Sequence, residues 1–198
     1  MKKLILLSAI LSAVAAAPLS AVIITGGATG LTGSFNTINF DAGTVAQGGA
    51  VTNQFSGATF SNFTWDNSTF GQTGSTGFSG GNLVSFTPSS STITFNSPVS
   101  AAAFAIVDQA AVFTFNAKLG GTLVESFNLA IPANPGAGFV GFQGIVFDRI
   151  EIFHGDAGMA IDTLQYKTAS GSAPDAGSTL LLVSAGLACL GLARRKIS

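Results

Sequence analysis

The chain has 198 residues, 47% of them hydrophobic and only 9% charged, and a formal net charge of −1. Between its two apolar ends, residues 22–177 hold three cations (Lys118, Arg149, Lys167) against nine carboxylates, a charge of −6. That balance lacks the clustered Lys and Arg a phosphate backbone requires, so nucleic acid is excluded as a partner.

At the start of the chain, Met1-Lys2-Lys3, an apolar run over residues 4–14 and the small residues Ala15, Ala16 and Ala17 follow the order of a secretory signal. Pro18 disfavours cleavage directly after Ala17, which leaves Ala16 or Ala21. Residues 1–21 are assigned to this signal helix, and the rest of the chain is expected to be exported across the inner membrane.

From residue 22 to 168 helical spacing is absent and short alternating runs replace it. In chain order they are 35–41, 58–63, 83–87, 92–96, 102–108, 112–119, 123–129, 139–142, 145–153 and 159–167. Residues 92–96 set Ile93 and Phe95 on one face against Thr92, Thr94 and Asn96. Phe113, Phe115, Ala117 and Leu119 alternate in the same way with Val112, Thr114, Asn116 and Lys118. Turn signals stand between the runs at Gly48-Gly49, Gly80-Gly81, Gly120-Gly121 and Asn134-Pro135-Gly136. About ten short strands at such spacing predict one all-β domain, an antiparallel β-sandwich of jelly-roll type with Thr, Ser and Asn on its outer faces. Residues 66–81, rich in Gly, Ser and Thr, are expected to form a long surface loop. The only cysteine, Cys189, lies beyond this domain, so no disulfide supports it. Burial must, and 17 Phe supply the material.

After a linker and motif over 169–178, the chain ends in an apolar stretch over 179–193 and the cations Arg194, Arg195 and Lys196. Fifteen residues fall short of the roughly 20 that span a hydrocarbon core comfortably. Gly177, Ser178 and Thr179 extend the stretch, the cations snorkel, and their side is cytoplasmic. The residues alone are compatible with a permanent transmembrane anchor. The segment Ala173-Pro174-Asp175-Ala176-Gly177-Ser178-Thr179 with its helix and basic tail resembles the PEP-CTERM class of bacterial sorting signals, in the variant reading Val-Pro-Asp-Ser-Gly-Ser-Thr. Pro174, Asp175, Gly177, Ser178 and Thr179 match, and Ala173 and Ala176 depart. The resemblance covers about 25 residues. It implies recognition by an exosortase, a membrane transpeptidase that removes the helix, in a Gram-negative-type bacterium that makes exopolysaccharide. The body would then reside in the envelope, on the surface or in the extracellular matrix.

A second resemblance runs through the body. Ile38-Asn39-Phe40-Asp41, residues 55–61, residues 138–142, residues 150–153 and Ile161-Asp162-Thr163-Leu164-Gln165-Tyr166 look like a jelly-roll domain of exported proteins. Such domains are similar to carbohydrate-binding modules and to concanavalin-like or galactose-binding-like sandwiches. The resemblance implies a structural calcium tying first and last strands, which by position falls on Asp41 and Asp162. Asp156 is a third hard oxygen donor nearby in sequence. Solvated strand-end aspartates are the plainer reading of all three.

The body carries no nucleophile elbow, zinc motif or phosphate loop, and its one histidine, His154, is expected at a surface or edge. No catalytic residue is assigned. Glu125 and Glu151 are its only glutamates, and nothing in their setting marks a glycosidase pair. Trp65, between Asn62 and Ser68, is either an exposed glycan contact or a ring folded back to cap the sandwich. Three readings follow: a non-enzymatic surface or matrix protein associated with exopolysaccharide, a carbohydrate-binding module, and a secreted hydrolase.

Overall fold

The computed structural model describes residues 21–169, apart from 42–44, 68–74, 87–88, 109, 133–135 and 156–157. The expected signal, the sorting motif, the C-terminal helix, the basic tail and Asp156 lie outside the described residues. Among these the chain is all β, with no helix long and apolar enough to cross a membrane.

Eleven strands follow in order: β1 Val22–Thr25, β2 Asn36–Ile38, β3 Ala50–Val51, β4 Ala58–Ser61, β5 Phe63–Asp66, β6 Asn82–Ser85, β7 Ser89–Asp108, β8 Ala111–Leu119, β9 Thr122–Ile131, β10 Gly138–Gly155 and β11 Met159–Thr168. Every pairing is antiparallel. The order is β3-β5-β6-β11-β7-β10-β8-β9, with β1 on β10, β2 on β11 and β4 on β7.

Two strands serve both layers of the sandwich. The C-terminal part of β7 pairs with β11 and with the start of β10, whereas its N-terminal part pairs with β4 and the end of β10. The β7–β10 register breaks between Gln143 and Phe147 and again between Phe147 and Arg149. Gly144, at φ 84, and Pro98, which has no N–H to pair, sit where the strands bend. Close packing of the two strands also needs Gly141, where a Cβ would strike the Ala102 carbonyl and the Ala103 backbone. Sequence patterning expected 92–96 and 102–108, and likewise 139–142 and 145–153, as separate strands. The bends shift the alternation and so read as breaks. Asn62 does the reverse: at φ 62 it divides the expected strand 58–63 into β4, which joins one layer, and β5, which joins the other.

Alternation then builds the core. Phe113, Phe115 and Ala117 of β8 and Ile150 and Ile152 of β10 turn inward and are fully buried. Facing them from the other layer are Phe104 and Phe142. Ring centroids of Phe104 and Phe115 lie 6.2 Å apart, and those of Phe127 and Phe142 5.1 Å apart. At the far end Phe40, Phe55, Phe60 and Phe63 form an edge-to-face chain. Most of the described Phe residues thus fill the core, while Phe35, Phe86 and Phe153 remain exposed and Phe78 and Phe139 pack on the outer face of the first layer.

The two outer faces differ. On the first layer Ala101, Ala103, Ala105 and Phe139 lie beneath Leu31, Ile24 and Phe78, so segments 24–31 and 75–81 sheathe that sheet. The expected surface loop 66–81 is corrected for its last part: Ser75 is buried and Phe78 half-buried, because small Ala side chains leave room for backbone to lie close. The outer face of the second layer has no such apolar row.

Phe142, which touches Phe127 and Phe147, tests this account. Phe142→Ala should lower stability by about 3–5 kcal/mol in urea unfolding. Thr94→Ala, on the bare outer face, should stay within about 0.5 kcal/mol.

Candidate functional site

Three of the residues singled out in the sequence meet around one loop. On β11 the register with β7 passes from Asp162↔Ala105 to Gln165↔Ala103, one residue too many for the partner strand. The excess is taken up at Thr163, held at φ 46. The bulge lets Ile161 and Leu164 both enter the core and turns Asp162 and Gln165 to the opposite face. Gln165 there accepts the Leu31 N–H at 2.7 Å and donates to the Thr29 carbonyl at 3.3 Å.

Asp162, fully buried, accepts the Ser79 N–H at 2.7 Å on one oxygen and the Thr163 N–H on the other. Asp41 accepts the Gly81 N–H at 3.0 Å and the Ser79 hydroxyl at 3.2 Å. Gly80 must be glycine: at φ 52, a Cβ would run into the Asp41 carboxylate. The half-buried Trp65 donates its indole N–H to the Phe40 carbonyl at 2.9 Å, with its ring against Gly81. The indole is therefore the folded-back cap and a strut of this clasp.

The chemistry of the clasp is that of hydrogen bonds to carboxylates. The oxygens of Asp41 and Asp162 that would bind calcium are turned to N–H and O–H donors, and no group of three metal-ligating side chains occurs among the described residues. Asp41 and Asp162 thus come together as expected by position, but as the anchor of residues 79–81.

A second constellation lies on the outer face of the second layer, where registers across five strands align polar side chains in rows. One row runs Ser126, Asn116, Glu151, Thr92, Ser61, from β9 through β8, β10 and β7 to β4. Its neighbours run Asn128, Thr114, Phe153, Ser90, and Lys118, Arg149, Thr94, Thr59. Ser126 donates its hydroxyl to Asn116 at 2.6 Å and Thr114 to Asn128 at 2.7 Å, so the amides are held in fixed orientations. Lys118 binds Glu151 at 2.7 Å, while Arg149 stands 3.8 Å from the same carboxylate. Phe153 is 39% exposed amid these rows. Each strand's alternation was legible in sequence, but the rows depend on cross-strand registers, which it did not carry. Arg149 and Phe153 were missed for that reason.

Beside β3, β5 and β6 opens a groove of about 430 Å³ lined by Thr52, Asn62, Thr64, Ser85 and Phe86 among others. His154 is corrected from surface to interior. The alternation that buries Ile150 and Ile152 carries it inward, where its ring stacks on Phe113 at 5.8 Å. Its Nε2 lies 3.5 Å from Ser85 Oγ, which accepts from Ser91 Oγ at 2.9 Å. Glu125 and Glu151 point to opposite faces, since their partners on β8, Ala117 and Asn116, do so, and they flank no common bond.

Burial pushes the Asp162 carboxyl up to about 7, against the backbone N–H groups that favour its ionised form. The folded protein therefore holds a proton that the unfolded chain releases above pH ~4. Stability is full below that pH and falls as pH rises toward 7, by up to about 4 kcal/mol. The melting temperature should fall from pH 4.5 to pH 7.5, and Asp162→Asn should flatten that slope. A calcium ion on the clasp would instead hold the carboxylates ionised, reverse the slope and make the melting temperature sensitive to EDTA.

No family model matches the chain, and no curated protein matches it. Among solved structures it is similar to a mutant of a family 29 carbohydrate-binding module complexed with mannohexaose, at 12% identity. The alignment covers 77% of this chain and 94% of that one, with a TM-score of 0.37.

Proposed function

We propose that this protein is a non-enzymatic, exported β-sandwich that associates with exopolysaccharide at the cell surface or in the extracellular matrix, after sorting through its C-terminal signal. The observation that carries the reading is the outer face of the second layer. One row of polar side chains crosses five strands there and two more cross four, with amides oriented by their own cross-strand bonds. Such a face offers donors and acceptors at regular spacing to a hydrated chain of hydroxyl groups, with Phe153 as an apolar patch for a sugar ring. The two ends of the sequence supply the address. The signal-like start supports export, and Pro174, Asp175, Gly177, Ser178 and Thr179 with the basic tail support processing by an exosortase.

This reading differs from a binding module built on Trp65, because the indole N–H is already bonded within the clasp. A secreted hydrolase would need two carboxylates across an open cleft. The close pair, Asp41 and Asp162, is engaged by residues 79–81 instead, with Asp162 buried.

Two measurements check the proposal. Passed over immobilised exopolysaccharide of its own host, the protein should be retained. The double variant Asn116→Ala, Thr114→Val should weaken retention roughly thirtyfold, at about 1 kcal/mol per lost hydrogen bond. Unaltered retention would remove this face from the proposal. The mass of the mature protein should end before Arg194, since an intact tail would show that the helix is kept as an anchor.

A further inference from the structure

Arg149 stands out on the polar face. Two of the three cations between residues 22 and 169, Lys118 and Arg149, are direct cross-strand partners there, a juxtaposition that repels unless bridged. Glu151 bridges them unequally. Its two oxygens lie 2.7 and 2.9 Å from Lys118 Nζ, while Arg149 reaches it only at 3.8 Å, beyond a hydrogen bond. Nε of Arg149 is buried without an acceptor. The nearby Asp148 is turned to the β8–β9 turn, where it accepts the Gly120 N–H at 2.9 Å. The Arg149 side chain is 39% exposed, on the register of Thr94.

A guanidinium held only by one long ion contact keeps hydrogen-bonding capacity for a planar carboxylate, which it grips through two parallel hydrogen bonds; an ammonium offers no such match. Phe153 lies on the same strand and face, four residues on, at about 13 Å along the strand. The ion-paired Glu151 lies between them. A sugar ring seated on Phe153 leaves a neighbouring residue of the same chain over Arg149. The body as a whole is acidic, so a polyanion is attracted only locally, where a cation's charge is incompletely neutralised, as at Arg149.

We infer that the face of β4, β7, β10, β8 and β9 recognises a carboxylated polysaccharide, a uronate-containing chain lying along β10, with Arg149 gripping a carboxylate and Phe153 carrying a ring. This rests on the exopolysaccharide reading and narrows it to acidic sugars. On this face Lys118 stays bound to Glu151, and Arg149 supplies the discrimination.

Affinity electrophoresis of the full chain in gels containing alginate, dextran or dextran sulfate tests this, with host exopolysaccharide as a fourth gel. The expected result is retardation by alginate at least tenfold stronger than by dextran, falling as salt rises from 50 to 300 mM. Arg149→Gln should abolish the alginate preference, Arg149→Lys should restore only part of it, and Phe153→Ser should weaken binding while keeping the preference. Unchanged melting temperatures show that the variants are folded. Equal retardation by dextran, a preference that survives Arg149→Gln, or retardation by dextran sulfate alone would overturn the carboxylate inference while leaving the exopolysaccharide reading in place. No retardation in any of the four gels would overturn both.

Discussion

The central antiparallel pairing of β7 with β10 is the constraint on which the sandwich depends. Each strand is long enough to leave one layer and enter the other, at 20 and 18 residues. Both must bend at the same level, and the pairing must survive the bend. Pro98 and Gly144 with the register breaks around Phe147 allow this. Because side chains alternate with period two, each extra residue at a bulge also decides which face the following residues reach. The inward set of Ile150, Ile152 and His154 and the outward set of Arg149, Glu151 and Phe153 are both fixed by those breaks. Without a disulfide in the body, this shared pair is the mechanical link between layers, and the facing rings of Phe104, Phe115, Phe127 and Phe142 supply the cohesion.

The bulge at Thr163 repeats the same logic on a smaller scale. One extra residue turns Asp162 and Gln165 to a common face, and each then seizes a loop by its backbone N–H groups. The outer face beneath those loops is Ala101, Ala103 and Ala105, flat enough for Gly77 and Gly30 to lie close to Phe139. Small side chains and glycines are therefore two halves of one solution: the sheet makes room, and the loop fills it. The buried carboxylate at the centre carries a desolvation cost, which places its pH response opposite to that of a salt-bridged aspartate.

Much of the fold was legible in the sequence wherever a strand kept one phase. The alternation of 112–119 and 92–96 located β8 and a part of β7 and named their inward residues, except that Leu119, at the turn, is exposed. It failed where geometry changes phase. Bends looked like strand ends, Asn62 hid a break inside an apolar run, and β1 and β3 were too short or too close to the signal to register. Asp41 and Asp162 were legible as a pair through their places in the first and last parts of the pattern. What they hold, the N–H groups of 79–81, was not, because a glycine-rich segment gives no sign of whether it is solvated or pinned. The exposed rows escaped for a different reason. Membership of a row is a property of three or four registers at once, and single-strand periodicity is blind to it.

The two outer faces explain each other. Alanines on the first layer demand a cover, and the loops that answer this demand consume Asp41, Trp65, Asp162 and Gln165. Threonines, serines and asparagines on the second layer demand none, since water satisfies them, and the same groups are free to exchange water for the hydroxyls of a sugar chain. Substitutions on that second face leave the core untouched, because inward and outward residues of β8 and β10 contact different neighbours. A body built in this way keeps its stability in one set of side chains and leaves the alternate set open to change. The position of Arg149 follows from that division. Placed inward it would be an uncompensated buried charge, and placed on the sheathed face it would displace a loop. Only on the outer face of the second layer is a guanidinium held by one long ion contact tolerated at low cost.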